Sequence, residues 1–378
     1  MINFKLTLFC CLGFLAGGSI ALQSCGSKRH STTDDSEPLS LNYNTTAVEI
    51  RANPSVLTLE SYGLSSYSPQ DSSLYAYNYK EHSIDIMSLA KDSVMRSIKL
   101  SLEGPDAVLQ ELLGLHVVSP DTILAYDYMA VNMLDNTGRR IDRIEFPDYG
   151  IRRLDCNSRS NIADFKMDLG SHILYYPVIN DGRNEIVEYD YVNKSILKKY
   201  EMKQPDGQGK NYGFMGFPNV SYNGDLAIYN YPFENMVYIL NLKDDTTRTI
   251  TPSGTFANAV MEEYNEPTPE NIGWYGAENF FHTPLYYLPD AECYIRLTLG
   301  ATTYDRSKNI DEAYYDRPFY LMIFDKDFKV KGEARLEDHK YNPFCGWFLL
   351  PGNIAFFQDN ILNPNKTEDI KIDILTMD

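Results

Sequence analysis

Apolar and polar positions alternate along most of this chain in short runs separated by turn residues, the period of half-buried strands. The stretch SPDTILAYDY shows the unit: Pro120 and Asp121 set a tight turn, and Ile123 to Tyr126 open a strand. The same signature returns as LYAY at Leu74, ILYY at Ile173, LAIY at Leu226, YIRL at Tyr294 and IAFF at Ile354. After each comes a second alternating run: SIDIMSL, AVNMLD, EIVEYDY, MVYILNL, FYLMIFD and IKIDILTM. Five of these pass through another tight turn into a third run (VMRSIKL, RIDRIEF, ILKKYEM, RTITP, VKGEARL), and a shorter apolar segment such as LLGLHVV or GWFLL precedes each ILAY-type strand. Four strands per unit, repeated about every 50 to 70 residues, predict an all-β, six-bladed β-propeller of four-stranded blades. The sixth unit runs out of chain before its fourth strand, and the strand-like AVEIRANPSVLTLE, Ala47–Glu60, is free to supply it. An N-terminal strand would then close the ring and remove an open sheet edge.

Composition supports this reading: 29 Tyr and 18 Phe suit a pleated, half-buried surface. A net charge of −18 without a basic cluster excludes a nucleic-acid partner, which needs concentrated Lys and Arg. The first residues read as a targeting segment, with Lys5 ahead of an uncharged run from Leu6 to Leu22. That run closes on LQSC, which resembles a bacterial lipobox and implies a lipidated Cys25 after cleavage. The expected organisation is a signal peptide at 1–24, a polar lipidated tether at 25–44 and the propeller at 45–378. The membrane is then a partner through acyl chains, each buried methylene contributing about 0.8 kcal/mol. Cys156, Cys293 and Cys345 remain, without metal-ligand spacing, and read as small buried hydrophobes.

The LQSC signal, the six units and the stretch LEGPDAVLQELLGLHVVSPDTILAYDY together resemble Bacteroidota lipoproteins of unknown function that form six-bladed propellers. The resemblance covers nearly the whole mature chain. It implies the fold and an outer-membrane, cell-envelope location, and says nothing about mechanism.

Chain direction alternates within a four-stranded blade, so the links between blades and those between second and third strands share one face. All the long connections fall there: 101–111, 148–162, 204–214, 252–282, 300–317 and 359–368. Loops of this length in a compact repeat usually have a use. The two longest belong to the fifth blade and are expected to be neighbours. ENIGWYGAENFFH offers Trp274, Tyr275, Glu278 and His282, and TTYDRSKNIDEAYYDRP offers Tyr304, Asp305 and Arg306. Aromatic planes beside carboxylates and an Arg suit a sugar or peptide, although such aromatics also fold back to cover their own blade. No catalytic motif is present, and no cofactor or metal is expected.

The expectation is a membrane-tethered, monomeric binding or scaffold protein holding a glycan, peptide or protein. The alternative is a carboxylate-dependent hydrolase or lyase on the same face. Asp92-Ser93-Val94, Asp121-Thr122-Ile123 and Asp245-Thr246-Thr247 resemble the Bacteroidota O-glycosylation tripeptide. Ser93, Thr122 and Thr246 are all placed on the opposite, short-turn face.

Overall fold

The structure, a computed structural model, describes residues 40–51, 62–150, 165–205, 210–212, 217–254, 260–265, 268–303, 305–307, 309–343 and 345–377. The signal segment, Cys25, the tether as far as residue 39, Cys156 and Tyr304 lie outside these residues.

The first strand is β1 (Tyr43–Ile50). Blade 1 is β2 (Ser65–Ser68), β3 (Ser73–Asn78), β4 (Ser83–Ser88) and β5 (Ser93–Lys99). Blade 2 is β6 (Gly114–Ser119), β7 (Thr122–Tyr126), β8 (Ala130–Leu134) and β9 (Arg140–Glu145). Blade 3 is β10 (Lys166–Asp168), β11 (Ile173–Asn180), β12 (Arg183–Asp190) and β13 (Ser195–Glu201). Blade 4 is β14 (Asn219–Asn223), β15 (Leu226–Asn230), β16 (Val237–Asn241) and β17 (Thr246–Ile250). Blade 5 is β18 (Phe281–Leu288), β19 (Cys293–Leu299), β20 (Phe319–Asp325) and β21 (Val330–Arg335). Blade 6 begins with β22 (Trp347–Leu350), β23 (Asn353–Phe357) and β24 (Ile370–Met377).

Strands pair antiparallel in chain order within each sheet, and β1 pairs with β24 as the outer strand of blade 6. The propeller is thus closed by its N-terminal strand, over eight residue pairs from Tyr43↔Met377 to Ile50↔Ile370. The closing strand begins four residues before the expected Ala47 and ends at Ile50; residues 52–61 lie outside the described residues. Its polar start, Tyr43-Asn44-Thr45-Thr46, hid it, because an outer strand has a solvent-facing side and needs few apolar residues. The fold also reaches into the expected tether: the Leu41 amide donates to the Glu333 carbonyl at 3.0 Å, tying the incoming chain to blade 5. Residues 38–378 form one compact unit.

First strands lie innermost and touch one another around the axis, as β2 does β6 and β22, and β14 does β18. Their inner edges carry backbone groups that no strand pairs, and neighbouring side chains satisfy some of them. The Val117 amide donates to Ser66 Oγ at 3.1 Å, and Asn219 Nδ2 donates to the His282 carbonyl at 2.8 Å. Second strands are almost wholly buried, as in Leu74 to Asn78 and Ile123 to Tyr126, which is why their signature is the clearest in the sequence.

Gly114 opposes Tyr126 in the β6–β7 ladder, and a Cβ there would sit 1.9 Å from the buried Tyr126 ring. Gly114→Ala is therefore expected to destabilise the fold by about 1–3 kcal/mol. Thermal melting checks this, and Tyr126→Leu in the same chain should recover part of the loss.

Candidate functional site

The alternation of chain direction puts every long link on one face and only tight turns on the other. The link into blade 5 contains α1 (Pro269–Ala277), and the β19–β20 link contains α2 (Ile310–Tyr315). Local chemistry starts α1: Thr268 Oγ1 accepts the Asn271 amide at 3.3 Å, and Pro269 occupies the first turn.

The two links are neighbours, as expected. Tyr314 Oη donates to the Gly273 carbonyl at 2.7 Å, and the Thr302 amide donates to the Ala277 carbonyl at 3.2 Å. Gly273 allows the close approach, since a Cβ there would lie 3.3 Å from Ile310. Arg317 is buried beneath them, its Nε donating to the Gly300 carbonyl at 2.9 Å and Nη2 to the Asn279 carbonyl. Burial lowers the Arg317 pKa to about 10, which leaves it protonated at neutral pH.

Packing divides the sequence candidates into two groups. Tyr275 is buried, stacks on Tyr264 with centroids 4.5 Å apart, and donates to the Glu262 carbonyl at 2.6 Å. His282 is fully buried in β18, where Nδ1 lies 2.9 Å from Thr298 Oγ1 and the amide donates to the Pro232 carbonyl. Both hold the blade 5 links and strands together rather than face solvent.

Trp274 is half-buried, and Asp305 and Arg306 are exposed. Arg306 grips Glu278 with two bonds, Nε to Oε1 at 3.0 Å and Nη2 to Oε2 at 2.6 Å. A fork of this kind fixes geometry more than it stabilises, contributing about 0–1 kcal/mol at the surface. It presents a planar, charged pair beside Trp274. Among the described residues no group of three or more His, Cys, Asp or Glu could hold a metal ion.

Sequence reading missed a set of carboxylates on third strands, buried at Asp85 and Asp373 and half-buried at Glu185. Asp85 in β4 accepts from Tyr62 Oη (2.5 Å), Asn78 Nδ2 (3.1 Å), Ser83 Oγ (3.4 Å) and Ser97 Oγ (2.5 Å). Asp373 in β24 accepts from Tyr341 Oη (2.6 Å), Lys340 Nζ (2.9 Å) and Gln358 Nε2 (2.9 Å). In blade 3, Tyr149 Oη donates to Glu185 Oε2 at 2.6 Å. In all three a tyrosine from the incoming link is fastened to an acid of the same blade. These bonds fix long links on the loop-rich face, and burial and the adjacent carboxylate raise the pKa of Tyr62 and Tyr341. The available signal was an acid among buried apolar neighbours, as in Ile84-Asp85-Ile86.

A second missed charge is Arg296, fully buried in β19. It lies over the Phe324 ring at 5.3 Å and donates to the Asn235 carbonyl at 3.4 Å. Burial lowers its pKa to about 9. Cys293 is a buried free thiol, as expected, whereas the free thiol Cys345 is only half-buried. Ser93, Thr122 and Thr246 open β5, β7 and β17, on the short-turn face.

A family profile described as a domain of unknown function (DUF4221) matches residues 38–335. The crystal structure of a DUF4221 member from Bacteroides vulgatus superposes with a TM-score of 0.65 at 12% identity, covering 90% of this chain and 99% of that one. A protein from Bacteroides fragilis described as a "Putative exported protein" gives 0.52 at 10% identity, over 89% and 95%. At these identities the likeness shows the fold alone. A search of the curated proteins finds no match.

Proposed function

Because the chain belongs to the DUF4221 family and places every long link on one face, we propose that it is a tethered binding or scaffold protein of the cell envelope. The one-sided distribution of long, internally fastened links carries this reading. Rigid loops lose little entropy on binding, and such loops on a rigid scaffold are where recognition usually resides. A glycan, peptide or protein would be held there, with Trp274 and the Glu278–Arg306 fork at the blade 5 rim. The LQSC segment supports an anchor at Cys25, and the export description of the Bacteroides fragilis protein supports an extracytoplasmic site. As a fourth strand, β1 starts at the short-turn end of its blade.

Two measurements test the reading. Cys25→Ser should move the protein from the membrane to the soluble fraction, and unchanged fractionation with no lipid on Cys25 by mass spectrometry would remove the anchor. Glycan and peptide arrays probed with residues 40–378 should give a ligand whose binding weakens about tenfold in Trp274→Ala or Arg306→Ala. The same ligand should bind Ser93→Ala, Thr122→Ala and Thr246→Ala unchanged. Loss of binding only in the hydroxyl variants would mean that the opposite face is the binding face.

A further inference from the structure

Ten large hydrophobic side chains are exposed among the described residues, and five of them lie on the links of blades 1 and 2. They are Tyr79 (39% exposed), Leu102 (58%), Leu109 (49%), Tyr128 (61%) and Met129 (62%). Tyr79 sits at the β3–β4 tip, Tyr128 and Met129 at the β7–β8 tip, and the two leucines on the link from β5 to β6.

Hydrogen bonds bring these positions together. The Val108 amide donates to the Ser101 carbonyl at 2.8 Å, which closes the loop that carries Leu102 and Leu109. Gln110 Nε2 donates to the Tyr79 carbonyl at 2.9 Å, fastening that loop to the first tip. At its other end the Leu113 amide donates to the Tyr126 carbonyl at 2.9 Å, fastening it to the second. Asp127 Oδ1 accepts the Met129 and Ala130 amides at 2.7 and 3.0 Å, which holds that tip in shape while Tyr128 and Met129 stay in solvent. The leucines therefore lie on a braced loop between two braced tips. Concentrated apolar surface of this kind on a soluble face marks an interaction site.

Charge narrows the partner. Exposed Glu103 and Glu111 share the loop with the leucines, and exposed Lys80 stands against them. Glu81 is neutralised by Lys99 at 2.6 Å, and Asp106 is offset by Arg140, whose amide it accepts at 3.2 Å and whose Nη1 donates to the Ala107 carbonyl of the same loop at 2.8 Å. Glu103 and Glu111 against Lys80 therefore leave the loop negative. The protein as a whole carries −18, so a second copy or an anionic lipid surface is repelled and a cationic partner is drawn in. Leu, Met and Tyr side chains between carboxylates offer apolar contact with few hydrogen-bond donors, which favours a polypeptide over a sugar.

We propose that the tips of blades 1 and 2 form a docking surface for a basic polypeptide segment bearing apolar side chains. This rests on the reading that the loop-rich face is the binding face. The probe is a fluorescent amphipathic peptide of Leu and Lys, beside the same peptide with Glu in place of Lys, each titrated into residues 40–378. The Lys peptide should bind and the Glu peptide should not. Leu109→Ser/Met129→Ser should weaken the Lys peptide about tenfold with melting unchanged, and Glu103→Gln/Glu111→Gln should weaken it about threefold and flatten its salt dependence.

Equal binding to the apolar variants would show charge attraction alone and overturn the proposal. So would binding of the Glu peptide, binding of neither peptide, patch-dependent binding to phosphatidylglycerol vesicles, or patch-dependent dimers in sedimentation. Loss of binding in Trp274→Ala but not in the blade 1 and 2 variants would reject this surface while leaving the loop-rich face intact as the binding face.

Discussion

Removal of residues 40–50 is expected to lower the melting temperature by about 10 °C or more, whereas removal of residues 26–39 leaves it unchanged. The first deletion withdraws β1 and its eight-residue ladder with β24. It also removes Ile50, fully buried in a cluster with Tyr62, Ile370 and Ile372, and takes the Leu41 amide from the Glu333 carbonyl. Losing a buried isoleucine alone costs about 2–5 kcal/mol, and each ladder bond adds about 0.5–1.5 kcal/mol before the entropy of ordering the strand is subtracted. The exposed edge of β24 would also invite pairing with other chains, so the shortened protein should aggregate on heating. Differential scanning calorimetry of both truncations decides the matter, and equal melting temperatures would mean that β1 does not hold the ring closed.

The blades were legible because their second strands are buried on both faces and flanked by tight turns. Ile123 to Tyr126 and Ile354 to Phe357 are apolar throughout, and each follows a tight turn, Pro120-Asp121 before the first and Pro351-Gly352 before the second. Gly352 before the latter has φ +66°. Outer strands were legible only where a turn located them, since β17 reads Thr-Thr-Arg-Thr-Ile and β1 opens on Asn and Thr. The helices went unread although α1 carries the Thr-Pro start of a capped helix, because a single short helix inside a β-repeat has no period to announce it.

The candidate site was legible in place but not in exposure. Sequence put the two blade 5 links together, and Tyr314 and Thr302 join them. It could not tell which aromatics face outward. His282 looked like a loop residue beside carboxylates, yet FHTPLYYL is the inner strand, and His282 is the second residue of β18. Exposure depends on partners distant in sequence, as with Tyr275 and the Glu262 carbonyl. The exposed tips of blades 1 and 2 were missed for the converse reason. Tyr128 and Met129 follow the buried apolar run that ends at Tyr126, separated from it by the buried Asp127.

Asp85→Ala is expected to destabilise the protein by about 3–5 kcal/mol, more than most single substitutions. Asp85 is 1% exposed and takes four side-chain donors, so its removal leaves the buried Tyr62, Asn78 and Ser83 without their shared acceptor, while the exposed Ser97 can turn to water. Tyr62→Phe removes one donor and leaves the acid with three, so its cost should be about 1 kcal/mol. The ordering matters for function as well as stability. Tyr62 stands on the link into blade 1, and freeing it should loosen that link before it unfolds the blade. Hydrogen exchange should therefore show faster opening around Tyr62 to Leu64 in Tyr62→Phe, with β3 and β4 still protected. Asp373→Ala should repeat the pattern at Tyr341, with Lys340 Nζ left beside an empty acceptor position. If Asp85→Ala melts like the parent chain, the buried acids are not what fastens the long links to their blades.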